Sequence, residues 1–494
     1  MVTGRPDQVP GVPAAALDPA LAGTLTGITL DSRRVRAGDA YVGLPGANTH
    51  GARFAAAAAA SGAVLLLTDA AGADLADAAG LPVIVADDPR AVMAHLAADI
   101  YGHPGERLDL HAVTGTNGKT STVFLLEAAL AASGRQVGTI GTLGFRVAGR
   151  SIADERTTIT TPESVDLQAL LAVMAEAGVD TIAMEVSSHA LDLRRVDALR
   201  FTTAAFTMLG QDHLEFHTTM EAYFAAKARL FLDGRTRHAV VNTDDRWGRR
   251  LADLVRVDGT ATLTTMNGAD ADFRVLASAE LPEGGWWVRL GHPGGVTEFG
   301  LSMLGRFNVS NAVTALAMVA AAGEDLDRAA AGLAQAHVPG RMQRVGLGSG
   351  APQAVVDFAH TPQAVAEALR ALPAGARRIA VLGAGGDRDP SKRQPMGAAA
   401  AAAADVVIVT DDNPRSEPPA LIREAVLAGA AGRGAEAIDG GDRRSAIRLA
   451  LSLAEVGDWV AVLGKGHEAG QDIGGTITPF DDVAVIREEW GNIE

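Results

Sequence analysis

The chain has 494 residues, 48% hydrophobic and 21% charged, with a net charge of -16. That length predicts two to four domains, and the composition is that of a globular protein. The acidic balance disfavours non-specific binding to nucleic acid or anionic lipid. The chain has no cysteine, which excludes disulfides and thiolate metal sites and suits the cytoplasm. We find no signal-peptide core at the start and no apolar run long enough to span a membrane.

Short Val/Ile/Leu strands alternate along the chain with glycine or polar turns and alanine-rich helices. This rhythm predicts an α/β fold with parallel sheets covered by helices and ligand sites at the carboxyl ends of the strands. The alanine runs at Ala55–Ala60 and Ala398–Ala404 are typical of helices. Proline and glycine in "HVPGRMQRV" suggest a boundary near residue 338, and a second boundary lies near residue 108. We therefore predict domains 1–107, 108–338 and 339–494.

The strongest single motif is "VTGTNGKTST", in which a strand turns through glycines into a helix. This geometry directs backbone N–H groups and a lysine at phosphate, so we expect Lys119 to contact the β and γ phosphates of ATP and Thr120 to bind Mg²⁺. The spacing departs from the standard Walker pattern, because Val113 stands where that pattern has glycine. The alternative is a simple glycine turn that caps a helix. The predicted ATP-binding loop comprises Gly115, Thr116, Asn117, Gly118, Lys119, Thr120 and Ser121.

Two later segments place acidic and basic residues at or after strand ends. "TIAMEVSSHAL" puts Glu185 at a strand tip, where its carboxylate can reach a metal beside the phosphate loop. "FTMLGQDHLEFH" leads from another strand to Asp212 and His213, and the following helix carries Lys227. Taken singly, His213 is more typical of a structural hydrogen bond, and Lys227 of a solvated surface. Together with the phosphate loop they indicate a catalytic site.

The combination of these motifs with others in the same order resembles one known family. The motifs are "GTNGKTS", "MEVSSHAL", "DHLEFH", "AKARLF", "VNTDD", "GRFNVSNAVTA", "PGRMQRV", "VVDFAHTP", "GAGGDRDPSKR", "DDNPR" and "GKGHEAGQ". From about residue 24 to its end, the chain is similar to the Mur ligases. The resemblance implies a smaller N-terminal α/β domain that binds uridine diphosphate, a central P-loop ATPase with a parallel-rich sheet, and a C-terminal Rossmann-like domain that brings the amino acid.

The resemblance also implies a reaction, since the chain closely resembles the family members that add diaminopimelate to UDP-N-acetylmuramoyl-L-alanyl-D-glutamate. ATP would phosphorylate the D-glutamate γ-carboxylate, and the amine of diaminopimelate would displace phosphate from the acyl phosphate. A carboxylate is a poor electrophile, so activation is needed, and Mg²⁺ and Lys119 would neutralise the phosphates. By resemblance, Glu185 and His213 bind Mg²⁺ with Thr120, and Lys227 is carbamylated and becomes a further metal ligand. Carbamylation requires a partly neutral Lys227, as burial can make it.

The remaining site residues follow from the same resemblance. On the ATP side they are Asn308, Asn311, Arg341 and Asp357. For the two asparagines, helix capping is the competing interpretation. On the side of the UDP-muramoyl dipeptide they are Ser32, Asn48, Thr49, His50, Thr160, Thr161, Ser187 and Arg195.

The segment "DVVIVTDDNPRSEPP" turns from a buried strand, Val406 to Thr410, directly into charged residues. We expect this strand to be flanked by the two that end in "GAGGDRD" and "GKGHE", so that their loops converge on diaminopimelate. An arginine on a stiff proline turn suits a bidentate grip on the far carboxylate of that substrate, and Glu468 suits its distal ammonium. For the pentapeptide alone, a proline turn with a surface salt bridge is the simpler interpretation. The predicted pocket comprises Arg388, Asp412, Asn413, Pro414, Arg415, Gly464 and Glu468.

Other functions share part of this pattern. A lysine-adding ligase or a folylpolyglutamate synthetase would have the same phosphate loop, and a nucleotide-binding regulator could use that loop as a switch. The switch fits poorly with Glu185, His213 and Lys227 occurring together. We expect a cytoplasmic monomer whose partners are small-molecule substrates, with no nucleic acid and no membrane insertion.

Overall fold

The computed structural model describes residues 25–152, 160–210, 212, 214–266, 271–281 and 284–493. Contacts between residues divide the chain into two compact units. The first comprises the described residues up to Leu276 with Leu290–Thr297 and Asn311–Gly332, and the second comprises Ala277–Arg289, Glu298–Ser310 and the described residues from Leu333 onward. Parallel sheets covered by helices confirm the predicted α/β class.

The first sheet belongs to the N-terminal part of the first unit. Its strands are all parallel and lie side by side in chain order: β1 (Gly27–Thr29), β2 (Asp39–Gly43), β3 (Leu65–Thr68) and β4 (Val83–Val85). The α-helices here span Ala55–Ala60, Ala70–Ala76 and Pro89–Ile100, and short 3₁₀ turns span Ser32–Arg34, Gly51–Phe54, Asp77–Ala79 and Pro104–Arg107. The first predicted alanine helix, Ala55–Ala60, is therefore confirmed.

The second sheet carries the phosphate loop. Its strands are β5 (Asp109–Thr114), β6 (Val137–Gly141), β7 (Gly144–Val147), β8 (Arg150–Ile152), β9 (Thr181–Glu185), β10 (Phe201–Phe206), β11 (Thr236–Asn242), β12 (Ala261–Met266), β13 (Phe273–Glu280), β14 (Trp286–His292) and β15 (Gly295–Leu301). They lie in the order β15-β14-β13-β12-β11-β10-β5-β9-β6-β7-β8. In the middle of the sheet β5 is parallel to both β10 and β9, so the tips of these three strands meet at one edge.

Helices connect the strands of this sheet and cover its faces. They span Lys119–Ala132, Ser164–Glu176, Ser188–Asp192, Leu214–His217, Met220–Ala228, Arg246–Asp258, Arg306–Ala321 and Leu326–Gly332. The central strands are buried because their Val, Ile, Leu and Ala side chains pack into a continuous core. Glu185 ends β9 and Lys227 lies in a helix, as the sequence predicts.

The third sheet forms the centre of the C-terminal part, within the second unit. Its strands are β16 (Gln343–Val345), β17 (Gln353–Asp357), β18 (Arg378–Leu382), β19 (Val406–Thr410), β20 (Glu436–Gly441) and β21 (Trp459–Leu463), in the order β16-β17-β21-β18-β19-β20. All neighbours are parallel except β16 and β17. A separate antiparallel hairpin follows, formed by β22 (Gly470–Ile473) and β23 (Thr476–Pro479).

Helices cover both faces of the third sheet, which is the Rossmann-like arrangement expected from the resemblance. They span Pro362–Arg370, Arg393–Ala401, Pro419–Ala430, Arg443–Leu453 and Asp482–Gly491, with 3₁₀ turns at Leu333–Gln335 and Pro390–Lys392. The second alanine run is helical only in part, since its helix ends at Ala401 rather than Ala404. The backbone turns there because Asp405 donates to the carbonyl of Arg378 as the chain enters β19.

The strand order corrects one prediction. β19 is buried along its whole length, as expected, but its neighbours are β18 and β20. The strand that ends in "GKGHE", β21, lies on the far side of β18. Its loop still reaches the "DDNPR" loop because glycines leave room over the end of β18: a Cβ on Gly383 would lie 2.4 Å from the carbonyl of Thr410. Among the described residues, no helix is long and apolar enough to cross a membrane.

Candidate active site

The phosphate loop connects β5 to the helix that begins at Lys119, as the sequence predicts. Gly118 caps that helix in the left-handed region, with a φ of 87°. A side chain is excluded there also by space, because a Cβ would lie 2.6 Å from Oδ1 of Asn311. The loop is tied to the segment after β10, since Oγ1 of Thr207 donates to the carbonyl of Asn117 at 2.6 Å. The loop is thus held in place by a hydrogen bond, and it leads into the N-terminal N–H groups of the helix, which can bind an anion.

Two lysines approach the carbonyl oxygen of Gly115. Nζ of Lys119 and Nζ of Lys227 each donate to this oxygen at 2.9 Å. Lys227 is 1% exposed, so it is not the solvated lysine that its helix alone would indicate. Burial lowers the pKa of Lys227 well below its usual 10.5, and the neighbouring Lys119 lowers it further while Asp212 opposes the shift. Burial thus makes the neutral amine more accessible at Lys227 than at a solvated lysine.

The carboxylate of Glu185 lies beside the helix that follows the phosphate loop. Its Oε1 accepts hydrogen bonds from Oγ1 of Thr120 at 3.0 Å and from the backbone N–H of Thr142 at 2.8 Å. Its Oε2 accepts from the hydroxyl of Thr142 at 3.2 Å. A buried carboxylate and a hydroxyl side by side are hard oxygen ligands of the kind that Mg²⁺ prefers. His213, the other predicted metal ligand, lies outside the described residues.

The predicted dipeptide-binding residues Thr160, Thr161, Ser187 and Arg195 gather around the tip of β9. Oγ1 of Thr160 is 3.2 Å from Oγ1 of Thr142, which itself contacts Glu185. The buried Oγ1 of Thr161 donates to the carbonyl of Glu185 and accepts from the backbone N–H of Ser187. The structure thus brings four predicted residues to one strand tip. The hydroxyl of Thr161 makes its hydrogen bonds within the protein, to the backbone of Glu185 and Ser187.

Arg195 is held in place by an acidic residue that sequence reasoning missed. Its Nε and Nη2 donate to one oxygen of Glu163, and its Nη1 donates to the carbonyl of Thr161 at 3.0 Å. The other oxygen of Glu163 accepts from Arg90, which lies on the helix Pro89–Ile100 behind the first sheet. Glu163 therefore connects the helix Pro89–Ile100 to the residues around the tip of β9. It follows directly after "TTITTP", but no local pattern marks it.

The other predicted dipeptide residues, Ser32 and Asn48 to His50, lie on loops of the first sheet. Ser32 follows β1, and the loop containing Asn48 and Thr49 follows β2, so parallel pairing puts both at one edge. Asn48 and Thr49 are exposed. His50 is fixed by its ring, because Nδ1 accepts from the backbone N–H of Ala52 and Nε2 lies 3.1 Å from Asp69. This exposed edge is available to a nucleotide.

The predicted ATP residues outside the loop fall into two groups. Asn308 and Asn311 lie inside the helix Arg306–Ala321, so the capping interpretation is wrong. Asn308 is buried and Nδ2 donates to the carbonyl of Leu304. The second group, Arg341 and Asp357, lies further along the chain: the guanidinium of Arg341 stacks 4.6 Å from the ring centre of Phe358, and Oδ2 of Asp357 accepts from the backbone N–H of Met342. Desolvation raises the pKa of Asp357, while the charge of Arg341 opposes that rise.

The loops at the tips of β18, β19 and β21 meet at Asn413, whose backbone carbonyl accepts from Gly386 N–H of the β18 loop at 2.9 Å. Its Nδ2 donates to Oδ1 of Asp412 at 3.0 Å and to Oε2 of Glu468 at 2.8 Å. Its Oδ1 accepts from the backbone N–H of Asp472 in the hairpin at 2.9 Å. Gly464 allows this approach, because its φ is 112° and a Cβ would lie 2.7 Å from Oδ2 of Asp412. The side-chain amide of Asn413 thus joins the loops after β19 and β21 to the hairpin.

Arg415 occupies a conformation that is uncommon for a side chain of its size. Its φ is 51°, in the left-handed region. The hairpin holds it there: Arg415 N–H donates to the carbonyl of Asp472 at 3.0 Å, and Gly474 N–H donates to the carbonyl of Arg415 at 2.7 Å. Nη1 of Arg415 donates to the carbonyl of Gly386 in the "GAGGDRD" loop at 2.6 Å. Pro414 is buried, whereas Arg388 is exposed.

Family models match three consecutive stretches of the chain. The Mur ligase family catalytic domain covers residues 24–101, the Mur ligase middle domain covers 113–319, and the Mur ligase glutamate ligase domain covers 340–466. The chain belongs to the Mur ligase family.

Relatives within this family align over nearly the whole chain. The UDP-N-acetylmuramoyl-L-alanyl-D-glutamate--2,6-diaminopimelate ligase of Streptomyces coelicolor is 48% identical, covering 98% of this chain and 97% of its own. The enzyme of the same name from Corynebacterium glutamicum is 45% identical, covering 97% and 93%. A solved structure of an enzyme of that name superposes with a TM-score of 0.69 at 31% identity, covering 95% of each chain. The family, its α/β fold and the order of its motifs are therefore as the sequence predicts.

Proposed function

We propose that this Mur ligase adds meso-diaminopimelate to UDP-N-acetylmuramoyl-L-alanyl-D-glutamate with cleavage of ATP to ADP and phosphate. ATP and UDP-linked precursors are cytoplasmic metabolites, so we place the reaction in the cytoplasm. The observation that carries the choice of amino acid is the pair Arg415 and Glu468 on loops joined by Asn413. A guanidinium suits the second carboxylate of diaminopimelate, and the carboxylate of Glu468 suits its distal ammonium.

The first step is the transfer of the γ-phosphoryl group of ATP to the γ-carboxylate of D-glutamate. The phosphate loop would hold the phosphates with its N–H groups, and Lys119 would neutralise their charge. Because the helix begins at Lys119, its N-terminal partial charge adds to this attraction. In the second step the amine of diaminopimelate attacks the acyl carbon, a C–N bond forms, the C–O bond to phosphate breaks, and the amine loses its proton.

The residues around Glu185 fit a magnesium ion. Thr120 and Glu185 provide a hydroxyl and a carboxylate 3.0 Å apart. No group of three acidic, histidine or cysteine side chains clusters for a metal within the described part of the chain, so phosphate oxygens and further ligands must complete the coordination. When bound, Mg²⁺ would neutralise charge on the phosphates during transfer.

We further propose that Lys227 carries a carbamate. Its pKa is lowered by burial, which favours the neutral amine that attacks carbon dioxide. The neutral amine nitrogen forms a bond to the carbon of CO₂ and releases one proton, so an uncharged group becomes an anion beside Lys119. The carbamate would pair with the charge of Lys119 and would offer oxygen to Mg²⁺.

The test is a ligation assay with the purified chain, ATP, Mg²⁺ and UDP-N-acetylmuramoyl dipeptide. It offers meso-diaminopimelate, LL-diaminopimelate and lysine in parallel, and each substrate is omitted in turn. We expect phosphate release and tripeptide product only with the complete mixture and with meso-diaminopimelate. Phosphate release without the dipeptide would indicate a nucleotide switch, and equal use of lysine would reject the proposed selectivity.

A further inference from the structure

Lysine is scarce in this chain: of 43 lysine and arginine residues, four are lysine. Two of the four, Lys119 and Lys227, belong to the phosphate site described above. A third, Lys465, lies in the second unit and its side chain has no exposed surface. In a chain that uses arginine almost everywhere, a fully buried lysine marks a position where a compact ammonium is needed instead of a planar guanidinium.

The ammonium of Lys465 meets three acceptors, one for each of its N–H groups. Nζ lies 2.5 Å from the carbonyl of Gly470, 3.1 Å from Oε2 of Glu468 and 3.4 Å from Oδ1 of Asn413. These acceptors come from three different segments: the hairpin, the "GKGHE" loop and the "DDNPR" loop. The ammonium of Lys465 therefore links these three segments to one another through hydrogen bonds.

Each of the three segments carries or holds a residue of the proposed amino-acid pocket. Both hydrogen bonds to Glu468, from Lys465 and from Asn413, end on Oε2, so neither of them occupies Oε1. The hairpin that begins at Gly470 holds Arg415 through two backbone hydrogen bonds. Lys465 thus fixes the carboxylate directly and the arginine indirectly, through the hairpin.

Other buried charges lie close to Lys465, and each has its own partners. Arg443 is fully buried and donates to both oxygens of Asp482 at 2.7 Å, which forms a closed ion pair. The carboxylate of Asp412, next to Asn413, is buried; burial raises its pKa, and the charges of Arg443 and Lys465 oppose that rise. The ion pair of Lys465 is with Glu468, whose side chain is 37% exposed and therefore within reach of a ligand.

We propose that Lys465 is a positioning residue for the amino-acid substrate: it sets the separation and orientation of Glu468 and Arg415 without contacting the substrate itself. This inference rests on the proposed addition of diaminopimelate. It assigns Lys465 to recognition of the incoming amino acid, and it predicts that the ATP and nucleotide-peptide sites work normally without it.

The test compares wild type with Lys465→Met, which keeps the length of the side chain and removes its charge and donors. We expect KM for diaminopimelate to rise about 10-fold to 100-fold, the effect of losing a charged hydrogen bond, and the preference over lysine to fall about 10-fold. We expect kcat and KM for ATP and for the UDP-muramoyl dipeptide to stay within about twofold of wild type. Arg377→Met, which removes a half-exposed ion pair with Asp458 in the same unit, is the matched control and should leave every constant unchanged.

The outcomes separate this inference from the proposed function. A wild-type chain that adds no diaminopimelate overturns both. An active wild type with unchanged KM for diaminopimelate in Lys465→Met overturns the positioning role alone, and so does a fall in kcat with KM unchanged. If Lys465→Met does not fold, as judged by circular dichroism and ADP binding, Lys465→Gln is measured in its place against the same criteria.

Discussion

The phosphate loop and the loops proposed to hold the amino acid would solve two recognition problems in different ways. The phosphate loop uses consecutive residues, backbone N–H groups and two lysines that share the carbonyl of Gly115. The amino-acid loops draw on three strand tips and pair their charges with one another, as in the contacts of Lys465 and Asn413 with Glu468. Phosphate is an anion, so backbone N–H groups and the ammonium of Lys119 would suffice to hold it, whereas an amino acid with two charged ends needs a cation and an anion at a fixed separation.

The largest effect is expected in the second unit, for Arg415→Ala. Without the guanidinium, the second carboxylate of diaminopimelate loses its partner, and a site built on such a polar contact can discriminate by about 10⁴-fold. We expect the ratio of kcat/KM values for diaminopimelate and lysine to fall by up to that factor while ADP binding is retained. Competition assays with both amino acids measure the ratio. A selectivity equal to that of wild type would show that another group reads the carboxylate.

A smaller but still large effect is expected in the first unit, for Lys119→Met. Loss of the ammonium removes charge neutralisation during phosphoryl transfer and should lower kcat about 10³-fold. Selectivity between diaminopimelate and lysine should not change, which separates the two sites. Phosphate release measured at saturating substrates checks the rate. The exposed Arg256→Met, in the helix Arg246–Asp258, is the control, and a kcat near that of wild type in Lys119→Met would contradict the assignment.

The two sites also differ in how far the sequence could predict them. The phosphate loop is encoded by adjacent residues, so its strand, turn and helix follow from local pattern alone, and all three are as predicted. The amino-acid loops come from residues far apart in the chain, and their grouping depends on strand order. Sequence reasoning placed β21 beside β19, but β18 lies between them. Which strands neighbour one another is decided by packing of helices on both faces, and this is not a local property.

Residues that hold the predicted site residues in place carry little signal in the sequence. Thr142 donates twice to Glu185, and Glu163 accepts from both Arg90 and Arg195, yet a lone threonine or glutamate after a strand carries no distinct signal. Lys465 lies inside a quoted motif, but its burial and three acceptors appear only when the hairpin is folded against it. Ligand-facing residues share chemistry with the ligand, whereas their supports are defined by tertiary contacts.

The stability of the first unit should depend on pH through His111 on β5, directly before the phosphate loop. His111 is buried against Oγ1 of Thr203, and burial lowers its pKa from 6.5 to about 4. As pH falls from 6.5 towards 4, the unfolded chain binds a proton that the folded chain does not, so stability is lost by up to about 3 kcal/mol. Hydrogen exchange of the β5 amides at pH 7 and pH 4.5 measures this loss.

His111→Gln is the matched variant for that measurement. It keeps a polar side chain next to Thr203 but cannot take up a proton in this range. Exchange of its β5 amides should depend less on pH than in wild type, while exchange in the third sheet changes equally in both proteins. An identical pH dependence of the β5 amides in the two proteins would show that other groups govern acid stability here.

The smallest effect is expected for removal of CO₂, which tests whether Lys227 carries a carbamate. A carbamate would make the phosphate site less positive than two ammonium groups would. A neutral amine reacts with CO₂, and the lowered pKa of Lys227 raises the neutral fraction at a given pH. Enzyme prepared without CO₂ should therefore lose activity severalfold and regain it with bicarbonate, faster at higher pH.

Arg415→Ala should respond in the same way, since its defect lies in the other unit, and ¹³C-bicarbonate should give a carbamate signal in both proteins but not in Lys227→Met. Full activity in CO₂-free buffer with no such signal would leave Lys227 as a buried amine, and the phosphate site would then act through positive charge alone.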